Sequence, residues 1–205
     1  MLLKLKHNTC PFFLLLLLLL LTDCSESGGS TNGVKKNIVH RREKHTIEYY
    51  LNPEANELTE IAVQTAFHNW QKISHFTFVY KGRNHAGIRK DGKNTVSFLK
   101  RWPREIGVTK IAWCQNWYDN QGTIIESDII LNMTLTKFTT LHTNSKNAYY
   151  IEGVLVHEIG HMLGLDHIDS DSSVMKENSS QEESFFKGVI DTETINAYKK
   201  LYKLH

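Results

Sequence analysis

His157 and His161 stand four residues apart, with Glu158 between them. On an α-helix that spacing puts both imidazoles on one face, one turn apart. Two imidazoles so placed can reach a single tetrahedral metal ion. Glu158 is offset by one residue, so it stands beside such an ion and not on it. From there it can take a proton from a water that the metal activates. Two solvent-facing histidines on an ordinary helix would show the same short pattern. The continuation argues against that reading: the full run is His157-Glu158-Ile159-Gly160-His161-Met162-Leu163-Gly164-Leu165-Asp166-His167. On an uninterrupted helix His167 would lie about 15 Å along the axis from His157. Gly164 lets the chain turn back in a left-handed conformation, and His167 can then approach the same metal from a loop. Three histidines leave one position for water, which suits a catalytic zinc site better than a closed structural one.

These residue types point to hydrolysis by metal-activated water. Glu158 acts as base and then passes its proton to the leaving amine. No acyl-enzyme is needed, so Cys114 has no assigned role and reads as a half-buried core cysteine. One rival is an inactive zinc-binding surface or adhesion protein; Glu158 beside a complete ligand set argues against decay of the site. Another rival is a structural domain in which the histidines never meet, and Gly164 at the needed turn argues against that.

The chain has 205 residues and a formal charge of +2. That length suits one domain, and near-neutral charge argues against a nucleic-acid partner. Residues 1–23 read as a signal peptide: Lys4, Lys6 and His7 precede an unbroken apolar run over residues 12–21. The run is too short to span a bilayer as a mature helix. Cys24 follows at once and resembles the acylated cysteine of bacterial lipoproteins, although Asp23 stands where a small residue is usual. The expected product is an exported, cell-surface or periplasm-facing protein carrying a lipid anchor in a membrane; ordinary cleavage and release is the alternative. Residues 24–44, rich in serine and glycine at first, read as a flexible tether, with Lys35-Lys36 and Arg41-Arg42 as a small solvated basic patch. The folded domain is expected over residues 45–205. Cys10 and Cys24 fall before it, so no disulfide framework is expected.

Within that domain, residues 46–51 read as a strand and residues 76–80, 95–99 and 109–114 as three more. A fifth lies within residues 123–132. Leu58, Ile61, Ala62, Thr65, Ala66 and Asn69 recur at helical spacing, with Trp70 closing the helix. A second helix is expected over residues 148–163, its stripe Ile151, Leu155, Ile159 and Met162 facing the sheet. Residues 165–189 read as irregular. A last helix is expected over 191–204, with Thr192 as its cap. This order predicts an α+β domain: a twisted mixed sheet with an active-site helix and a C-terminal helix.

The eleven-residue run resembles the metzincin zinc metalloendopeptidases, a clan marked by this motif. The resemblance implies a zincin-like catalytic domain, one catalytic zinc, and protein or peptide substrates. It also implies that Met175, in Ser173-Val174-Met175, forms a hydrophobic floor under the histidines without ligating. Within the clan the chain is most similar to the matrixins, on residues 92–96, on Asp128-Ile129-Ile130-Leu131-Asn132 and on Leu201-Tyr202. It departs from them at Ile168, where serine is common, and past Met175, where a proline is often found. No second, structural zinc site is matched; His75, His85 and His142 read as surface histidines. Calcium stays open, because Asp166, Asp169 and Asp171 also fit a solvated acidic loop. Neither an inhibitory segment of the cysteine-switch kind nor an oligomeric state can be read from the residues.

Overall fold

Side chains that alternate between solvent and core set the first strand, β1 (Thr46–Leu51), whose Ile47, Tyr49 and Leu51 are buried. It belongs to a computed structural model that describes residues 40–205 except 86, 135, 142–146, 179 and 187. The signal segment, Cys10, Cys24, the tether through residue 39 and His142 lie outside the described residues.

β1 pairs in parallel with β2 (Thr77–Arg83) and β3 (Asn94–Leu99). β3 pairs in parallel with β5 (Ile124–Asn132), and β4 (Ala112–Tyr118) runs antiparallel to β5. The sheet order is β2-β1-β3-β5-β4, so β4 is an edge. β5 is an inner strand buried along nearly its whole length, including its polar Glu126, Ser127, Asp128 and Asn132, while Ile125 alone is exposed. β4 begins later than the residues alone suggest. A 3₁₀ turn, Arg104–Ile106, and a turn closed by Lys110 N–H on Gly107 O precede it. Its polar second half, Gln115-Asn116, still extends as strand because β5 supplies the ladder.

Helix α1 (Glu57–Ile73) starts at Asn56, whose side chain accepts from Thr59 N–H at 2.9 Å. Its inner face is Ala62, Val63, Ala66, Phe67 and Trp70. Leu58 and Ile61 are instead 60% and 54% exposed. The apolar arc of this helix is wide, and the two large rings decide which part turns inward. Burying each ring is worth about 1.5–3 kcal/mol. The Trp70 indole also donates to Val156 O at 2.8 Å, tying α1 to the helix that carries the motif.

That helix is α2 (Ile151–Met162). Ile151, Leu155, Ile159 and Met162 are all buried, as the stripe predicted. It starts three residues later than expected, because β7 (Tyr149–Tyr150) pairs with β6 (Phe138–Thr139) instead. A short helix, α3 (Gln181–Phe186), lies inside the segment read as irregular; six residues are too few to show a helical period. The last helix, α4 (Thr192–Tyr202), is capped by Asp191 and not Thr192: the Asp191 carboxylate accepts from Thr194 N–H at 2.8 Å. The architecture is a mixed sheet flanked by helices, with the motif on α2 and a C-terminal helix behind it. Among the described residues no helix is long and apolar enough to cross a membrane.

Packed structure extends upstream of His45. Arg41 forms a β-bridge with Thr123, and Arg42 is only 5% exposed. The β2–β3 loop is held from β5: Glu126 accepts from Asp91 and Gly92 N–H at 2.8 Å each, and Asp128 accepts from Arg89 N–H at 2.7 Å and Thr95 N–H at 2.9 Å.

Candidate metal centre

Helix α2 delivers His157 and His161 to one face, and the turn after it returns His167 to them. Gly164 has φ +93°, the conformation expected at that turn. Gly164 N–H donates to His161 O at 2.9 Å and Leu165 N–H to Gly160 O at 3.0 Å, closing the helix. The side-chain nitrogens that converge are all Nε2. His161 Nε2 lies 3.0 Å from His157 Nε2 and 3.2 Å from His167 Nε2.

The other ring nitrogens explain why these atoms are donors to a cation. His157 Nδ1 faces Val174 O at 2.8 Å, and His161 Nδ1 faces Leu165 O at 2.8 Å. A carbonyl oxygen only accepts, so each Nδ1 carries the proton and each Nε2 keeps its lone pair. Two lone pairs 3.0 Å apart repel unless a positive ion shares them. Three nitrogens bound to one tetrahedral zinc at about 2.0–2.1 Å would stand about 3.3 Å apart, close to the separations found. Burial lowers the pKa of His161 and of His167, which favours the neutral ligand form. The donor set therefore fits zinc. Among the described residues these three histidines are the group of three or more candidate ligands that comes together.

Glu158 lines the same cleft, of about 550 Å³, and is 6% exposed. Burial pushes its carboxyl up to about 8, against the pull of the Lys110 charge. A cation at the three nitrogens favours the ionised form again.

Met175 lies under the helix. It is fully buried, and a Cβ on Gly160 would meet its sulfur at 2.3 Å, so glycine at 160 is what admits it. The chain around it holds both ends of the histidine set. Val174 O takes the His157 ring, and Met175 O accepts from Ile168 N–H at 2.9 Å, next to His167. Asp191 fixes this segment from α4 by accepting Val174 N–H at 2.7 Å.

Other candidates from the sequence sit apart from the centre. His75 is half-buried, its Nδ1 2.5 Å from the Tyr198 hydroxyl, and so is not a plain surface histidine. His85 is exposed. Asp171 pairs with Lys176 at 2.7 Å, and Asp166 and Asp169 are exposed. Cys114 is partly buried on β4, its sulfur 3.6 Å from Asn116 Oδ1, and burial raises its thiol pKa well above the usual value.

Two features escaped sequence reasoning. Lys110 reaches Glu177 across the cleft at 3.8 Å, joining the rim before β4 to the rim after Met175. Nothing local marks either residue, because they are 67 positions apart. Arg42, Asn116 and Tyr202 gather at the end of α2 for the same reason.

The family model for the peptidases described as Matrixin matches residues 40–203. No curated protein gives a significant match.

Proposed function

This chain belongs to the matrixin family and is a zinc-dependent endopeptidase, and from that premise we propose which residues do the work. The observation that carries the assignment is the convergence of three Nε2 atoms whose partner nitrogens are pinned by main-chain carbonyls. His157, His161 and His167 are the metal ligands. When bound, zinc supplies a Lewis acid that polarises the scissile carbonyl and acidifies water.

Glu158 is the catalytic base. Its carboxylate takes the proton from the attacking water and returns it to the leaving nitrogen. Its burial withholds competing solvent from that carboxylate. Gly164 supports the set by making the turn to His167, and Met175 supports it as the apolar floor beneath α2. Strand β4, at the sheet edge and lining the cleft, offers unpaired main-chain groups along which an extended peptide can lie. Substrates are proteins or peptides. Calcium is assigned no role.

The leader supports a finer reading. A basic front, an apolar run and Cys24 directly after it fit export with acylation of Cys24, which would put the enzyme on a membrane surface. Fatty-acid labelling with and without Cys24→Ser tests this; equal labelling of both refutes the anchor.

The enzyme test combines zinc stoichiometry with cleavage of casein or a mixed-peptide library, repeated with Glu158→Ala. One zinc per chain and Glu158-dependent cleavage are expected. Zinc without such cleavage would leave the protein as a zinc-binding surface protein.

A further inference from the structure

A helix leaves its last carbonyls without intrahelical partners. In α2 these carbonyls sit directly behind the metal centre. Ile159 O and Gly160 O are satisfied locally, by Leu163 and Leu165 N–H at 3.0 Å each. The next three are reached by side chains from three remote parts of the chain. Asn116 of β4 donates its amide to His161 O at 2.9 Å. Arg42 of the N-terminal segment donates Nε to Met162 O at 2.9 Å. Tyr202 of α4 donates its hydroxyl to Leu163 O at 2.6 Å.

These three donors are also joined to each other. Arg42 Nη2 donates to Ser127 Oγ at 2.5 Å and to Asn94 Oδ1 at 2.8 Å. The Ser127 hydroxyl in turn donates to Asn116 Oδ1. Arg42 N–H donates to the Tyr202 oxygen at 3.0 Å. Arg42, Ser127 and Asn94 are at most 9% exposed. The partners of the buried guanidinium are thus neutral oxygens, and burial brings its pKa down to about 10. Retaining a buried cation here is expensive, and what it grips is the turn that carries the third histidine.

We propose that Arg42, Asn116 and Tyr202 are positioning residues for the metal centre: they clamp the carbonyls of Met162, His161 and Leu163 and so hold the turn at Gly164 that returns His167 to His157 and His161. The N-terminal segment through Arg42 is then part of the working enzyme and not a disposable leader. This rests on the zinc reading above and goes beyond it, since none of the three residues belongs to the histidine cluster.

The test is made on the whole chain. Zinc affinity is measured by competition with a chromophoric chelator, and the visible spectrum of the cobalt(II)-substituted protein reports ligand geometry. Tyr202→Phe removes one oxygen and keeps the ring; Asn116→Ala and Arg42→Lys probe the other two arms. Ile47→Ala, a buried change in β1, is the destabilising control. Each positioning variant is expected to weaken zinc binding roughly tenfold and to alter the cobalt bands, with Ile47→Ala staying within about twofold of wild type. Tyr202→Phe and Asn116→Ala that keep wild-type affinity and spectrum would overturn the proposal. So would an Ile47→Ala that weakens zinc as much as they do. A wild type that binds no zinc refutes the functional reading instead, before any variant is compared.

Discussion

Replacing Gly164 by alanine should cost about 2–6 kcal/mol, and two separable effects add to give it. The first is local. Gly164 has φ +93°, where an L side chain is strained by about 1–3 kcal/mol. The second is a collision. A Cβ at 164 would stand 2.4 Å from His40 O, against the 3.4 Å at which ordinary contact begins. Something must move by about 1 Å, and overpacking of that kind costs about 1–3 kcal/mol. His40 is poorly placed to yield. Its ring Nδ1 contacts Gly122 O at 3.0 Å, Arg41 O accepts from Ile124 N–H at 2.9 Å, and Arg42 is buried behind them. For a domain of this size the loss lowers the melting temperature by about 10 °C. Thermal unfolding of the metal-stripped protein isolates this folding cost, and zinc competition then shows whether His167 has been displaced. Gly164→Asn separates the two effects. Asparagine tolerates positive φ better than alanine, but it carries the same Cβ. It should therefore be nearly as damaging as alanine. An alanine variant melting within about 2 °C of wild type with unchanged zinc affinity would refute the reasoning. An asparagine variant that restores stability would refute the collision alone.

Three further outcomes follow from other parts of the molecule. Met175→Ala empties a fully buried site against Gly160 and should destabilise the protein by about 2–5 kcal/mol, read by denaturant unfolding. Removing zinc with a chelator should lower the melting temperature, and re-adding it should restore the loss in proportion to the logarithm of free zinc, because the folded state alone assembles the three histidines. Burial raises the Asp128 carboxyl to about 7, outweighing the two N–H groups from Arg89 and Thr95 that favour its charge. The folded state then holds this proton more tightly than the unfolded one. The group's contribution is full below about pH 4 and is lost as pH rises through about 7. Asp128→Asn should flatten that part of the stability–pH curve while loosening the β2–β3 loop.

The elements legible in the residues were those whose signal is local. β1 alternates, α2 carries a clear stripe, and the motif marks the three histidines that converge and the glycine that turns the chain between them. Where several faces competed, only packing chose. In α1 the arc containing Leu58 and Ile61 lost to the one containing Phe67 and Trp70, because the large rings remove more apolar surface from water. In β4 the polar Gln115 and Asn116 hid a strand that exists because β5 pairs with it. A cap at Asp191 and a strand at Tyr149 depended on partners that sequence spacing does not show.

The metal centre divides in the same way. Spacing along one helix, and one glycine after it, determine that His157, His161 and His167 can share an ion with Glu158 beside it, since a turn of helix and a reversal are short-range geometry. What holds that geometry is long-range. Val174 O pins one ring, Met175 fills the space that Gly160 leaves, and Arg42, Asn116 and Tyr202 grip the turn from three distant segments. Those contacts join residues 15 to 120 positions apart, and contacts across such distances exist only once the sheet and helices have packed.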